Sequence, residues 1–390
     1  MNEGHPLQDS ARRRVGRWAF RIALALSIAF ALFLSLTEMG RYLARAGWEE
    51  AKILWARRPI SDIVADSTVP QATRHKLRVV LDAREFAAEV LGLDVGQSFT
   101  TFSQLERDTL VLLLSAAYRD ELRYHSWWFP IVGRVPYKGW FDFDMARVAE
   151  GDFRRRGFDT FLRPVSAFST LGFFNDPLLS TTLRADTLSL ANTVVHELLH
   201  NTFYARGQAV FNESFANFVG ARGSAEFYRA REQDSAAALA DARWQDEKVM
   251  ARFWERLHRE IDSTFKAHPG DSLRERRIAI RDSIYSAARV NLASRIAPLL
   301  RTITPRNIER VRLDNAALLA RRIYLTDLDL FDSVFVRERS DTRRALERVI
   351  EIAKSNEDDP FEALRRWVFR ADAGISSGTG TATTDPNLPN

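Results

Sequence analysis

The chain has 390 residues, of which 46% are hydrophobic and 27% charged, with no cysteine and a formal net charge of +5 at pH 7. That apolar content fills a large core in one or two domains and excludes a chain that stays disordered, and the lack of cysteine excludes any disulfide. The charge is local: Arg12, Arg13, Arg14, Arg17 and Arg21 against Glu3 and Asp9 account for +3 of it, and no basic stripe interleaved with aromatics follows, so no nucleic-acid partner is expected.

Residues 1–17 are polar and are expected to form a disordered cytoplasmic tail. The run Ile22–Thr37, IALALSIAFALFLSLT, is free of charge, Gly and Pro. As a helix it spans about 24 Å, short of a hydrocarbon core of about 30 Å, and adding Trp18–Phe20 with Arg21 snorkelling closes the gap. Residues 18–38 therefore read as a single-pass anchor in the lipid bilayer. The arginines ahead of them place the amino end in the cytoplasm and the body of the chain outside it. A cleaved signal peptide is the alternative, but the following SLTEMGRYL lacks a small-x-small cleavage pattern.

A helix over Gly40–Trp55 leaves the membrane, punctuated by Pro59 and Pro70. Gln71–Leu93 has Leu77, Val80, Leu81, Phe86, Val90 and Leu91 at helical spacing. Thr109–Ala117 reads as a buried strand and Ile131–Phe141 as an irregular one, broken by Pro136 and Gly139. Phe143–Arg156 is helical and basic at its end, where cations suit the helix dipole, and Gly157 stops it. Phe158–Phe168 reads as a strand that Pro164 confines to an edge or bulge, with backbone groups free to hold an extended peptide. Asp176 and Pro177 then supply a capping acid and a residue suited to a first helical turn.

The stretch Asn192–Gly220 carries the chemistry. In His196-Glu197-Leu198-Leu199-His200 the two histidines are four apart, so on a helix both imidazoles reach one point, which suits a zinc ion. Glu197, beside the first histidine, is placed to take the proton of a water that the metal has acidified. A catalytic site needs a third protein ligand. Gly207 can end the helix by a positive φ, and a returning helix would bring Glu213 opposite the pair. Asn217, one turn on, could accept the free ring N–H of a ligating histidine.

Beyond Gly223 helices dominate: Ala225–His268 with an apolar seam, a turn at His268–Asp271, then Leu273–Arg301, Asn307–Leu319 and Ser340–Ser355. From Ala371 the chain has almost no core residues and is expected to be disordered.

Four blocks also carry a resemblance: VPYKGWFD (Val135–Asp142), AFSTLGFFNDPLLST (Ala167–Thr181), VVHELLHNTFY (Val194–Tyr204) and FNESFANFVG (Phe211–Gly220). In this order they resemble the bacterial putative (predicted) aminopeptidase family of zincin-type HExxH zinc metallopeptidases. Weaker similarity at Arg57–Asp66 and Leu313–Tyr324 extends it over most of residues 42–330. The resemblance implies that His196, His200 and Glu213 hold one Zn2+, that Glu197 is the general base, and that a peptide is the substrate. The Asn-Glu-x-Phe-Ala block also resembles that of membrane-alanyl-type aminopeptidases, whose His-to-Glu spacing is longer. Members of the family carry a cysteine pair where this chain has Trp128 and Arg134, so that loop must be stiffened by aromatic packing.

Tyr324 is the candidate second donor for the oxyanion, because zincins often use Tyr or His and it lies in the carboxy-terminal matching block; a tyrosine that only packs is the alternative. Tyr137, Tyr204 and Tyr228 are weaker rivals. The expected fold is α+β and predominantly helical, a zincin-like core with a small mixed sheet. The divisions expected are a tail (1–17), an anchor (18–38), a catalytic core (40–223), a helical region closing the cleft (224–370) and a disordered tail (371–390). The expected activity is removal of amino-terminal residues from peptides at the outer face of a bacterial inner membrane. A membrane-anchored zinc endopeptidase and a non-enzymatic helical scaffold are the alternatives. No group that would read the substrate's α-ammonium is identifiable in the sequence.

Overall fold

Sequence free of charge, Gly and Pro after Arg21 allows a helix to run unbroken. In a computed structural model, which describes residues 6–105, 107–109, 111–129, 133–165 and 177–376, helix α1 spans Pro6–Leu36 and α2 spans Glu38–Trp55. The window Trp18–Leu36 has a mean hydropathy of 2.2 and none of it is buried within the protein. It is long and apolar enough to cross a membrane, as an anchor or a signal sequence would be. The break between the helices is a cap: Thr37 Oγ1 accepts from Gly40 N at 2.9 Å. Residues 6–17, expected to be disordered, are helical, since extending an existing helix gains a hydrogen bond per residue without a new nucleus. The same holds for residues 371–376 at the carboxy end of the last helix.

The chain divides into two compact units, Met1–Arg57 and Arg58–Asn390. The second opens with β1 (Arg57–Pro59), α3 (Ile60–Ala65), α4 (Gln71–Glu89), β2 (Thr101–Ser103), β3 (Val111–Tyr118), β4 (Trp127–Phe129), β5 (Gly133–Val135), β6 (Lys138–Trp140), α5 (Phe143–Arg155), β7 (Phe158–Val165) and β8 (Leu178–Leu179). Then come α6 (Thr187–Thr202), α7 (Ala209–Arg229), α8 (Asp234–Ala267), α9 (Arg274–Asn291), α10 (Pro305–Glu309), α11 (Asn315–Tyr324), α12 (Leu328–Arg337), α13 (Thr342–Lys354) and α14 (Pro360–Ser376). The architecture is predominantly helical with small mixed sheets.

Two sheets position the site. One has the order β1-β2-β8, with β2 and β8 parallel; the other has the order β6-β3-β7, antiparallel, with β7 at its edge. Side chains alternate along β3. Leu114 and Ala116 pack with Phe153 of α5, so Leu113, Ser115 and Ala117 face the opposite way. Their register partners Arg163, Phe161 and Asp159 share that second face. Helix α11 begins there: Asn315 N donates to Asp159 Oδ2 at 2.9 Å and Asn315 Nδ2 to the Tyr118 carbonyl at 2.8 Å. The β4–β5 hairpin pairs Trp128 with Arg134 directly. The two positions that the resemblance assigns to cysteines are therefore cross-strand neighbours, at a spacing a disulfide could bridge.

The core centres on α6, α7 and α8. Phe211, Phe215, Phe218, Phe331 and Trp244 are fully buried and touch one another edge-on or stacked. Each such ring contributes about 1.5–3 kcal/mol by leaving water. Three elements differ from expectation. The helix expected over Asn307–Leu319 is two, because Asp314 caps a new one by accepting from Ala317 N at 2.8 Å. The helix expected to reach Arg301 leaves α geometry after Asn291 and goes on as a π turn (Leu292–Ile296) and a 3-10 turn (Ala297–Leu299) that contains Pro298. The expected cap at Asp176 and the expected ends of the Phe158–Phe168 and Ile131–Phe141 strands lie outside the described residues.

Candidate metal centre

Helix α6 is aimed from its first residue. Asp186 caps it, accepting from Ser189 N at 2.8 Å, and Arg243 of α8 donates to its two carboxylate oxygens at 3.1 and 2.9 Å. The Arg243 hydrogen bond holds the Asp186 carboxyl down at about 2, so the cap stays charged. Leu190, Ala191, Val194, Val195, Leu198 and Leu199 are buried on the inward face. Burying that face turns His196 and His200 toward the neighbouring side, with ring centroids 5.2 Å apart.

The connector to α7 is equally fixed. Gly207 adopts φ +79°, and the buried amide of Asn212 clamps the chain before it, accepting from Ala205 N at 2.9 Å and donating to Ala205 O at 2.8 Å. Glu213 is thereby presented to both histidines: Oε2 lies 3.4 Å from His196 Nε2 and Oε1 lies 3.6 Å from His200 Nε2. Donors bonded at about 2.0–2.1 Å in a tetrahedron lie about 3.3–3.5 Å apart, so the spacing fits a shared zinc ion. One ligand atom from each residue falls within 4.8 Å of the others, and among the described residues no other trio of His, Asp or Glu converges so. Burial, and then the neighbouring His196, push His200 down to about 4, which leaves its imidazole neutral near pH 7, the form that ligates.

Asn217 does not serve a ligand histidine. Its Nδ2 donates to the Tyr324 carbonyl at 2.8 Å, because the end of α11 lies across this turn of α7 and offers carbonyls that have no helical partner. Ser214 reinforces the joint by accepting from Thr326 N at 3.2 Å. His200 Nδ1 is buried and has no hydrogen-bond partner among the described residues. Tyr324 is brought to the cluster through that joint. Burial, and then the Glu213 carboxylate, keep its phenol protonated above the ordinary range, and Glu197 and the Arg163 guanidinium also act on it. Tyr137 stands in the field of Arg163, Glu213 and Tyr204. Tyr204 packs edge-on against His200 at 6.2 Å, whereas Tyr228 sits in the core against Phe227.

Two neighbours, Arg163 and Glu247, carry no motif, and Asn212 stands in the Asn-Glu-x-Phe-Ala block without its clamp on Ala205 being signalled there. Glu247 of α8 acts on His196 and lines a cavity of about 150 Å³ with Asn192, Thr193 and Arg243, where burial pushes its carboxyl up to about 7.

Close approach of α6 and α7 is what lets Glu213 reach. A Cβ at Gly220 would lie 3.0 Å from Asn192 O and 3.2 Å from His196 Cβ. Gly220→Val therefore forces the helices apart, with an expected loss of about 1–3 kcal/mol in stability and about 10–100-fold in zinc affinity. Competition with a fluorescent chelator measures the second. Unchanged zinc affinity would mean that Glu213 does not depend on this crossing.

Residues 41–364 match the model of a family described as "Putative aminopeptidase". No curated protein and no solved structure matches the chain.

Proposed function

The chain belongs to the putative aminopeptidase family, and from that premise we propose that it is a membrane-anchored zinc peptidase that removes residues from the amino end of peptides. The observation that carries the zinc reading is the convergence of His196, His200 and Glu213 within 4.8 Å on helices α6 and α7. These three residues would hold the ion. Zinc, when bound, supplies the Lewis acidity that polarises the scissile carbonyl and acidifies the attacking water. Glu197 accepts the proton of that water and returns it to the departing amine. The protonated phenol of Tyr324 donates to the carbonyl oxygen as negative charge grows there. Residues 18–38 anchor the chain, and the arginines before them favour a cytoplasmic amino end with the catalytic part outside.

A second reading, an endopeptidase, is favoured by β7, whose outer edge is unpaired among the described residues in the sheet order β6-β3-β7. An extended chain added to that edge could pass through the site in either direction. The full chain, purified in detergent, is expected to retain one zinc per molecule by elemental analysis and to shorten library peptides by single amino-terminal residues. Internal fragments would replace the exopeptidase reading with the endopeptidase one. A zinc-loaded chain that leaves every peptide intact would point to the scaffold.

A further inference from the structure

Near the candidate metal centre lie two guanidiniums that form no ion pair among the described residues. Arg163 is half-buried on edge strand β7, and Arg321 is exposed on α11. The neighbouring Arg119, Arg281 and Arg312, by contrast, do form ion pairs.

Their proximity follows from the fold. Helix α11 starts at Asp159, where Asn315 N is bonded, and runs over the β7 face that carries Arg163. Four residues of strand cover about 13 Å, and the nine from Asn315 to Tyr324 cover about 13.5 Å of helix. The end of α11 therefore arrives over Arg163. Arg321 and Tyr324 are three apart on α11 and share a face. Ser214 and Asn217, one and four residues after Glu213, fix that end against α7. The electrostatics agree. Arg163 acts on Tyr324, Glu213 and Tyr137, and on Arg321 as well. Two cations held close to one another raise each other's energy, and an arriving anion relieves it.

We propose that Arg163 and Arg321 bind a carboxylate of the peptide substrate next to the scissile bond. The carboxylate has two sources, the free carboxy terminus of a di- or tripeptide and an acidic side chain close to the cleaved bond. The proposal rests on the peptidase reading above and adds its specificity: a substrate carrying its own negative charge near the cut. Guanidiniums suit this because their planar forks meet carboxylate oxygens in pairs, and the half-buried setting of Arg163 strengthens the contact.

Binding rather than turnover tests it. The full chain bearing Glu197→Gln, loaded with zinc, is titrated by calorimetry with Ala-Ala, Ala-Ala amide, Ala-Glu amide and Ala-Gln amide. A free carboxy terminus as the ligand predicts Ala-Ala tighter than its amide by about 10–100-fold. An acidic side chain predicts the same margin for Ala-Glu amide over Ala-Gln amide. Whichever margin is found should fall to within about twofold on adding Arg163→Gln or Arg321→Gln. Arg321 is exposed, so its replacement does not unfold the chain, and Arg163→Lys should keep part of the margin by keeping the charge. Equal binding within both pairs, or a margin that survives both substitutions, overturns the proposal and leaves the peptidase reading standing. A zinc-loaded chain that binds none of the four overturns the peptidase reading itself, and the carboxylate site with it.

Discussion

Glu197→Gln is expected to lower kcat for peptide hydrolysis by about 10²–10⁴-fold with zinc content unchanged. The side chain keeps its shape and loses only its basicity, so a loss of this size isolates proton transfer. Three features make Glu197 the group to test. It sits between the two histidines on the same helix, half-buried beside the donors that converge within 4.8 Å. Its charge reaches both His196 and the phenol of Tyr324, so it stands where an attacking water and a carbonyl oxygen must meet. It is also outside the trio whose atoms face one another at 3.4 and 3.6 Å, so its loss should not release the ion. Steady-state kinetics with zinc measured on the same sample decide the matter. KM should move little, because the group acts only as charge develops. Full activity at full zinc occupancy would remove Glu197 from the reaction. Activity lost in step with zinc would make it a ligand.

The centre was legible in the sequence to the extent that its residues are local. His196, Glu197 and His200 are spaced by one helical turn, and Glu213 lies a short connector away, so a period of 3.6 and a turn glycine, Gly207, suffice to bring them together. The arrangement around them depends on distant strands and helices. That Arg163 faces α11 rather than α5 is decided by the β3–β7 register, in which a shift of one residue would reverse every side chain. That Asn217 serves Tyr324 rather than a histidine is decided by where α11 ends, and α11 itself begins at a cap, Asp314, hidden inside what reads as one helix. The clamp at Asn212 looks like any polar residue until the chain folds back on it. Long-range pairing of this kind leaves no periodic trace in a single sequence.

Asp332→Ala is expected to cost about 3–5 kcal/mol of stability. Asp332 is the point at which α12 is tied to both helices behind the metal centre. Its carboxylate accepts from Arg222 of α7 at 2.7 Å, from Trp244 Nε1 of α8 at 3.0 Å and from Lys248 of α8. Lys248 is a buried residue and pairs only with Asp332 among the described residues. Arg222 keeps a second partner, Asp241, at 3.3 Å. Removing the carboxylate thus strands Lys248 more than Arg222, and an uncompensated buried ammonium is the main penalty. Asp332→Asn should fall between, since it can still accept from Trp244 while losing the charge. The same contacts fix the pH dependence. Burial raises the Asp332 carboxyl, but Arg222 and Lys248 together more than cancel that, so its folded pKa lies below its unfolded one. The stabilisation is therefore fully present above the unfolded value of about 3.9 and is lost as pH falls through the folded one. Urea denaturation at pH 7 and again below pH 3 tests both points. The wild-type advantage over Asp332→Ala should shrink on acidification. A loss under about 1 kcal/mol at pH 7 would place Asp332 among the exposed pairs that contribute little, and an advantage that grew in acid would reverse the sign of its coupling. Because Arg222 and Trp244 stand on the helices that carry Glu213 and Glu247, the zinc affinity of Asp332→Ala at temperatures where it stays folded reports whether this tie also holds the ligands in register.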